Sequence, residues 1–368
     1  MAGAQLIGAP DVPAAVRIGA EEERERRRRR PMDGRSLLLT SFTVILLALF
    51  LSPLLRTLTL SLKSSEQITT IGAPIWPADP ATFEWEGEEY DVYLVPIEGT
   101  TRELALVDKG RQESGFIDPL DPDGGIITWQ GSWRALDQPW EFAPQWGNFA
   151  EVWTRINFPR LIFNTAALAF IGGIGTIVSC TLVAYGFARF RFPGRNALFL
   201  LLLSTVFLPA AVTLIPTYTI FVHLGWVGTW LPLLVPAFFA NAYDVFLLRQ
   251  YFLTLPRELD DAAKIDGAGP IRILTAIIVP QAWPVIIAVA IFHLVYSWNL
   301  YFEPLLYLST SPELQPISLG LSKFNDIYGS EPQYIQAATL MTIVIPMVVF
   351  FFAQRAFMRG IVITGVEK

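Results

Sequence analysis

The sequence predicts an all-α polytopic membrane protein of six spans, with a small extracytoplasmic β-rich insertion between the first two. Three observations carry that expectation. Of the 368 residues, 52% are hydrophobic and only 16% charged, where a soluble domain has about 45–50% and 25%. The mean hydropathy is +0.43. Apolar stretches of bilayer length, about 20 residues, recur along the chain, and the charged residues are segregated between them.

The formal charge of −6 averages two opposite regions. Residues 61–160 hold 17 acids and 7 bases, a net −10, and the remainder carries +4. Residues 1–35 form a basic tail with five consecutive arginines, Arg26 to Arg30. Because this block precedes an apolar stretch, it reads as a positive-inside anchor rather than as a nucleic-acid arm. The single cysteine, Cys180, excludes an intrachain disulfide and a Cys-based metal site. Two histidines, His223 and His293, offer no metal cluster either.

The first span is expected over residues 36–60. It is too long and too far from Met1 for a cleaved signal peptide. Further spans are expected over 161–187, 197–222, 230–251, 277–298 and 335–357, within a core of residues 161–368. The 189–195 connection carries the basic residues Arg189, Arg191 and Arg195, the 249–276 connection Arg249, Arg257, Lys264 and Arg272, and the C-terminal end Arg355, Arg359 and Lys368. The 223–229 connection has none, and 299–334 has only Lys323. The positive-inside rule then puts both termini in the cytoplasm and residues 61–160 outside.

In that acidic insertion, Tyr90–Val95, Arg102–Val107 and Gly125–Gly131 read as strands separated by turns. The segment lacks His and Cys, and its carboxylates are spread as on a solvated surface, which argues against an enzyme site. Trp129, Trp133, Trp140 and Trp146 favour a docking surface for an external partner over a decorated loop.

The longest cytoplasmic connection, residues 250–273, reads as a miniature helix–turn–helix. Thr254 and Pro256 suggest a helix start, Gly267 a stop with positive φ, and Gly269-Pro270 a restart. Leu259, Ala262, Ala263 and Asp266 would share one face. Inside the spans, Pro209 and Pro216 lie two turns apart and either shape a path or kink the helix. Asp244 must face protein or water, and pairing with Arg249 or solvation near the interface is expected ahead of a proton relay. His293 either lines a pathway or is a satisfied intramembrane histidine. Gly172, Gly173 and Gly175 would permit close helix packing. No phosphate-cradling loop G-x-x-x-x-G-K-[ST] is present.

The run Pro256-x-Glu258-Leu259-x-Asp261-Ala262-Ala263-x-Ile265-Asp266-Gly267-Ala268 resembles the EAA loop of the permeases of binding-protein-dependent ABC importers. It is followed, as in that family, by Ile277-Ile278-Val279-Pro280 and Pro284. Phe163-Asn164-Thr165, Ala184-Tyr185-x-x-Ala188-Arg189-x-x-Phe192-x-Gly194-Arg195, Leu208-Pro209, Ile215-Pro216-Thr217-Tyr218, Trp298-Asn299 and Gln354-Arg355-x-Phe357-x-x-Gly360 are similar to further family patterns. The resemblance covers roughly residues 37–63 and 148–366 and is nearest to the MalG-like carbohydrate branch. Asp261 departs from it, standing where the family has the first Glu of EAA, and the acidic insertion is longer than the family's.

The resemblance implies the MetI-like permease fold of type I ABC importers, in the cell (inner) membrane, carrying a sugar or oligosaccharide. It implies a second, MalF-like permease subunit, two ATPase subunits that bind ATP and Mg, and an extracytoplasmic solute-binding protein. The chain itself would bind no cofactor, metal or nucleic acid and catalyse nothing. Glu258, Leu259, Asp261, Ala262, Ala263, Asp266 and Gly267 would couple to the ATPases. Pro209, Pro216, Tyr218, Trp298 and Asn299 are the candidates for the solute pathway. The alternatives are a glycerol phosphate ester as solute or, in another class, a stand-alone secondary transporter.

Overall fold

The computed structural model describes residues 34–97, 99–326 and 329–362. The chain divides into two units, one ending at Arg56 and the other running from Thr57. The described part of the first is residues 34–56 of an apolar helix, α1 (Gly34–Ser61), exposed on all sides over that length, and the last turn of α1 belongs to the second unit. The arginine run at 24–30 and the last six residues lie outside the described residues.

Among the described residues, four helices are long and apolar enough to cross a membrane, or six if each of two bent pairs is one span. The second unit opens with the insertion. Strands β2 (Thr82–Trp85), β3 (Glu88–Ile97), β4 (Thr100–Asp108), β5 (Glu113–Ile117) and β6 (Ile127–Gln130) form an antiparallel meander. Strand β1 (Ala78–Pro80) pairs with β7 (Trp140–Phe142) and closes its base. All three sequence-predicted strands are present. Four more were hidden because they are short, or lack a clear period-two pattern.

Alternation along β3 and β4 puts Tyr93, Val95, Leu104 and Leu106 on one face, where they pack with Phe116. Trp129 meets Phe116 edge-on at 6.3 Å and Trp133 meets Tyr93 edge-on at 5.9 Å. These two tryptophans therefore belong to the module's core and not to a free surface, which corrects the expectation from sequence. Asn148 Nδ2 donates to the Ser61 and Lys63 carbonyls, fastening the module's exit to the end of α1.

Helices α2 (Gly147–Arg155) and α3 (Phe158–Arg189) follow. The latter is the long central helix, and its buried glycines admit neighbours: a Cβ at Gly172 would lie 2.8 Å from His293 Nε2, and one at Gly175 2.7 Å from the Phe238 ring. The next span is broken, not continuous as expected. Helix α4 (Arg195–Ser204) ends in a 3-10 turn, Leu208 is extended before Pro209, and α5 (Ala210–His223) starts anew. Pro209 thus sits at a break while Pro216 is inside a helix, and the two do not share one helix face.

The fourth span is interrupted too. Helix α6 (Leu231–Leu234) passes through a 3-10 turn to an extended Phe239, and α7 (Ala242–Thr254) begins after Asn241. The fifth bends by 81° where the segment 270–281 meets α10 (Trp283–Asn299). Pro284 lacks the N–H that would continue the ladder there. The helix Pro332–Val362 is the last.

Asn164 explains one sequence motif. Its Nδ2 donates to the Glu313 and Gln315 carbonyls, both at 2.9 Å, while Thr165 Oγ1 accepts from Ile317 N. Asn164→Leu would leave two carbonyls without their donor, at about 1–3 kcal/mol for each buried group. The detergent-solubilised variant is expected to melt at a clearly lower temperature. Phe163→Leu, at a side chain 67% exposed, is expected to melt like the parent.

Candidate functional site

The 250–273 connection folds into α8 (Glu258–Ile265), a turn, and α9 (Pro270–Ile273). The helix starts at Glu258, just after the expected Pro256. It ends at Gly267, whose φ is +80°. Ala268 N donates to the Ala263 carbonyl and Gly267 N to the Lys264 carbonyl, a Schellman pair that satisfies two terminal acceptors. No heavy atom lies within 4 Å of a Cβ built at Gly267, so backbone conformation rather than space requires the glycine.

The faces of α8 differ from the expected ones. Asp260 and Ala263 turn inward and are buried. Glu258, Leu259, Asp261, Ala262 and Asp266 are exposed, and Ile265 stands 87% exposed at the tip. Ala263 therefore belongs to the anchoring face, packed with Ala184, Tyr185, Ala188, Leu248 and Phe252. Asp261 pairs with Lys264 at 2.9 Å in solvent, and that ammonium holds its carboxyl below the usual carboxylate range.

Sequence reasoning missed the acid that anchors the helix. Asp260 Oδ2 lies 3.2 Å from Arg189 Nε, with side chains only 9% and 5% exposed. The contact is an ion pair and not a linear hydrogen bond, since Nε has no hydrogen-bond partner of good geometry. Arg189 Nη2 donates to the Leu255 carbonyl at 3.2 Å. One turn earlier, Tyr185 Oη donates to the Pro270 carbonyl at 3.2 Å. The last turns of α3 thus grip the connection on both sides of α8. An i, i+4 pair of Tyr and Arg at a helix end, facing a loop with two adjacent acids, was the available signal.

A cavity of about 830 Å³ lies between α5, the broken fourth span, α10 and α11 (Phe302–Tyr307). It is lined among others by Thr217, Tyr243, Asp244, Phe292, His293, Tyr296 and Glu303. The five sequence candidates for the pathway are not among its lining residues. Tyr218 stacks on Tyr307, which does line it, at 6.1 Å. Trp298 is buried, and Asn299 Nδ2 returns to the Val295 carbonyl. His293 Nδ1 is 3.1 Å from Thr176 Oγ1. Asp244 is not paired with Arg249: Asn241 Nδ2 donates to its Oδ2 at 2.7 Å. Arg249 instead donates to the Phe187 carbonyl and covers the Phe199 ring at 4.2 Å.

A bundle of apolar, partly broken helices, with a short helix gripped at one end, suits a membrane permease. The comparisons agree. Residues 180–362 match the family "Binding-protein-dependent transport system inner membrane component". The osmoprotective compounds uptake permease protein GgtD of Synechocystis sp. is 32% identical over 255 residues, 69% of this chain and 85% of that one. The sn-glycerol-3-phosphate transport system permease protein UgpE of Rhizobium meliloti is 37% identical over 211 residues, 57% and 74% of the two chains. The fold is shared with a solved chain of a bacterial ABC transporter involved in the import of the acidic polysaccharide alginate, at a TM-score of 0.62 and 18% identity. That superposition covers 95% of this chain and all of the other. This chain belongs to the binding-protein-dependent transport system inner membrane component family. It is a transport subunit and not an enzyme.

Two acids one position apart should now behave differently. Asp260→Asn breaks a buried pair, a change that costs about 3–5 kcal/mol in proteins generally, and is expected to lower the melting temperature of the solubilised protein. Asp261→Asn is expected to leave it unchanged. Gly267→Val forces a β-branched residue to positive φ, and should insert normally yet lose transport-coupled ATP hydrolysis in the assembled importer.

Proposed function

We propose that this chain forms half of a solute pathway whose other half is a MalF-like permease subunit, driven by two ATPase subunits that bind ATP and Mg. An extracytoplasmic binding protein delivers a sugar or oligosaccharide to it. The observation that carries this reading is α8 itself. It presents Leu259, Ala262, Asp266 and an 87% exposed Ile265 on one side, while Asp260 and Ala263 fasten the other to the bundle. An exposed β-branched apolar tip flanked by acids suits a protein cleft. When the ATPases close, a helix so fastened would carry α3 with it.

The bent pairs count as spans in this reading, giving six, with both termini and α8 in the cytoplasm. The basic connections then all lie on the α8 side, as the positive-inside rule requires, and the β module lies outside. A glycerol phosphate ester is the alternative solute, favoured by the likeness to the UgpE permeases. The acidic module would meet the binding protein through electrostatic complementarity, which mainly raises on-rates and weakens with salt.

Two experiments test the arrangement. Ile265→Asp should lose co-purifying ATPase subunits while Ile71→Asp, at a fully exposed site in the insertion, should keep them. Retention by Ile265→Asp would remove α8 as the docking element. For the module, Pro80 and Trp140 are register partners on β1 and β7, so a two-residue turn can replace residues 81–139. The shortened protein should still bind the ATPases but associate more slowly with the binding protein at low salt, and the difference should shrink at high salt. Equal association rates at both salt concentrations would leave the module as a prop only.

A further inference from the structure

The cavity in the bundle has a chemistry that bears on which solutes it admits. The fourth span breaks at residues 239–241, and α7 starts with its N-terminus at the cavity. Helix starts in broken membrane spans carry partial positive charge and are natural anion sites. Here that position is already taken. Asn241 caps the helix by accepting from Asp244 N at 2.9 Å, and Asp244 places a carboxylate in the first turn. Asp244 is only 6% exposed, and its Oδ1 has no hydrogen-bond partner among the described residues. A second carboxylate, Glu303, lines the same cavity, and no Lys or Arg does among the described residues.

We propose that this cavity contacts hydroxyl-rich solute without negative charge, that Asp244 Oδ1 accepts from a solute hydroxyl, and that Asp244 with Glu303 turns anionic solutes away. A buried carboxylate oxygen needs a donor, and a sugar hydroxyl in the cavity supplies one. The aromatic rings fit the same occupant. Tyr243 and Phe292 meet at 6.0 Å and both line the cavity, with Tyr296 60% exposed. Such rings offer flat apolar faces to the C–H side of a sugar, while the Tyr243 and Tyr296 hydroxyls serve its rim. A phosphate or carboxylate on the solute would instead meet two like charges with no cation to offset them. The inference deepens the reading of this chain as half of a solute pathway, and among the solutes considered above it selects the neutral sugar over the phosphate ester.

The test uses the assembled importer in a Cys180→Ser background with Thr217→Cys as the reporter, since Thr217 lines the cavity. Rates of modification by cationic and anionic methanethiosulfonates are compared with those of β-mercaptoethanol. The cation-to-anion ratio is expected to exceed the free-thiol ratio by about tenfold, a short-range unit-charge effect in a partly solvated site. It should fall toward the free-thiol value in Asp244→Asn/Glu303→Gln. Glu303→Gln alone, at a half-exposed side chain, should give an intermediate ratio and guards against misfolding of the double variant. A neutral disaccharide should slow the reaction, and sn-glycerol 3-phosphate should not. A ratio equal to that of the free thiol, or equal protection by the phosphate ester, would overturn the proposal even if sugar uptake persists. If the ratio holds but binding-protein-dependent uptake of neutral sugars is absent, the sugar reading fails and the exclusion of anions stands.

Discussion

The buried contact between Arg189 and Asp260 is the constraint on which the rest of the molecule depends. A guanidinium and a carboxylate, each nine-tenths or more buried, are stable there only because each has the other and because Arg189 also donates to the Leu255 carbonyl. The pair joins the end of the long central helix α3 to α8. Tyr185 adds the second point of attachment at Pro270. Two fixed points spanning α8 remove its freedom to swing independently, so the outward face of that helix has a defined direction. Without them, an eight-residue helix would be marginal, since isolated helices that short do not hold in water.

Around this clamp the bundle is built to be broken. Three of its spans are interrupted, at Leu208-Pro209, at residues 239–241 and at Ala282. Interruptions at membrane depth are tolerated where they line a cavity or are covered by protein. The break before Asn241 does the former and delivers Asp244 to the cavity. Gly172 and Gly175 on α3 then let His293 and Phe238 lie against the helix backbone. The same helix thus holds α8 at one end and, through Thr176, lines the cavity along its middle.

Much of this was legible in the sequence. Hydropathy pointed to the four long apolar helices and to the two bent pairs, because lipid demands apolar length. Gly267 was readable because only glycine takes positive φ there without strain. Periodicity along Arg102–Val107 revealed a strand because one face of it is buried. Other features were not legible, for definite physical reasons. Helix breaks depend on which carbonyls neighbours can satisfy, and proline alone does not say whether a helix kinks or stops. The inward turn of Asp260 instead of Asp261 depends on the partner that Arg189 supplies from 71 positions away. Trp129 and Trp133 looked like surface aromatics because a small sheet needs large side chains for its core just as an interface does.

The account rests on α8 moving as one body with the end of α3. Pulsed spin–spin distance measurement between labels at Lys264 and Arg191, both exposed, tests that most directly in the assembled importer carrying Cys180→Ser. The account predicts the same narrow distance with and without ATP, and a distribution that broadens and becomes nucleotide-dependent when Arg189→Leu removes the clamp. A distance that shifts with ATP in the unmodified clamp would contradict it.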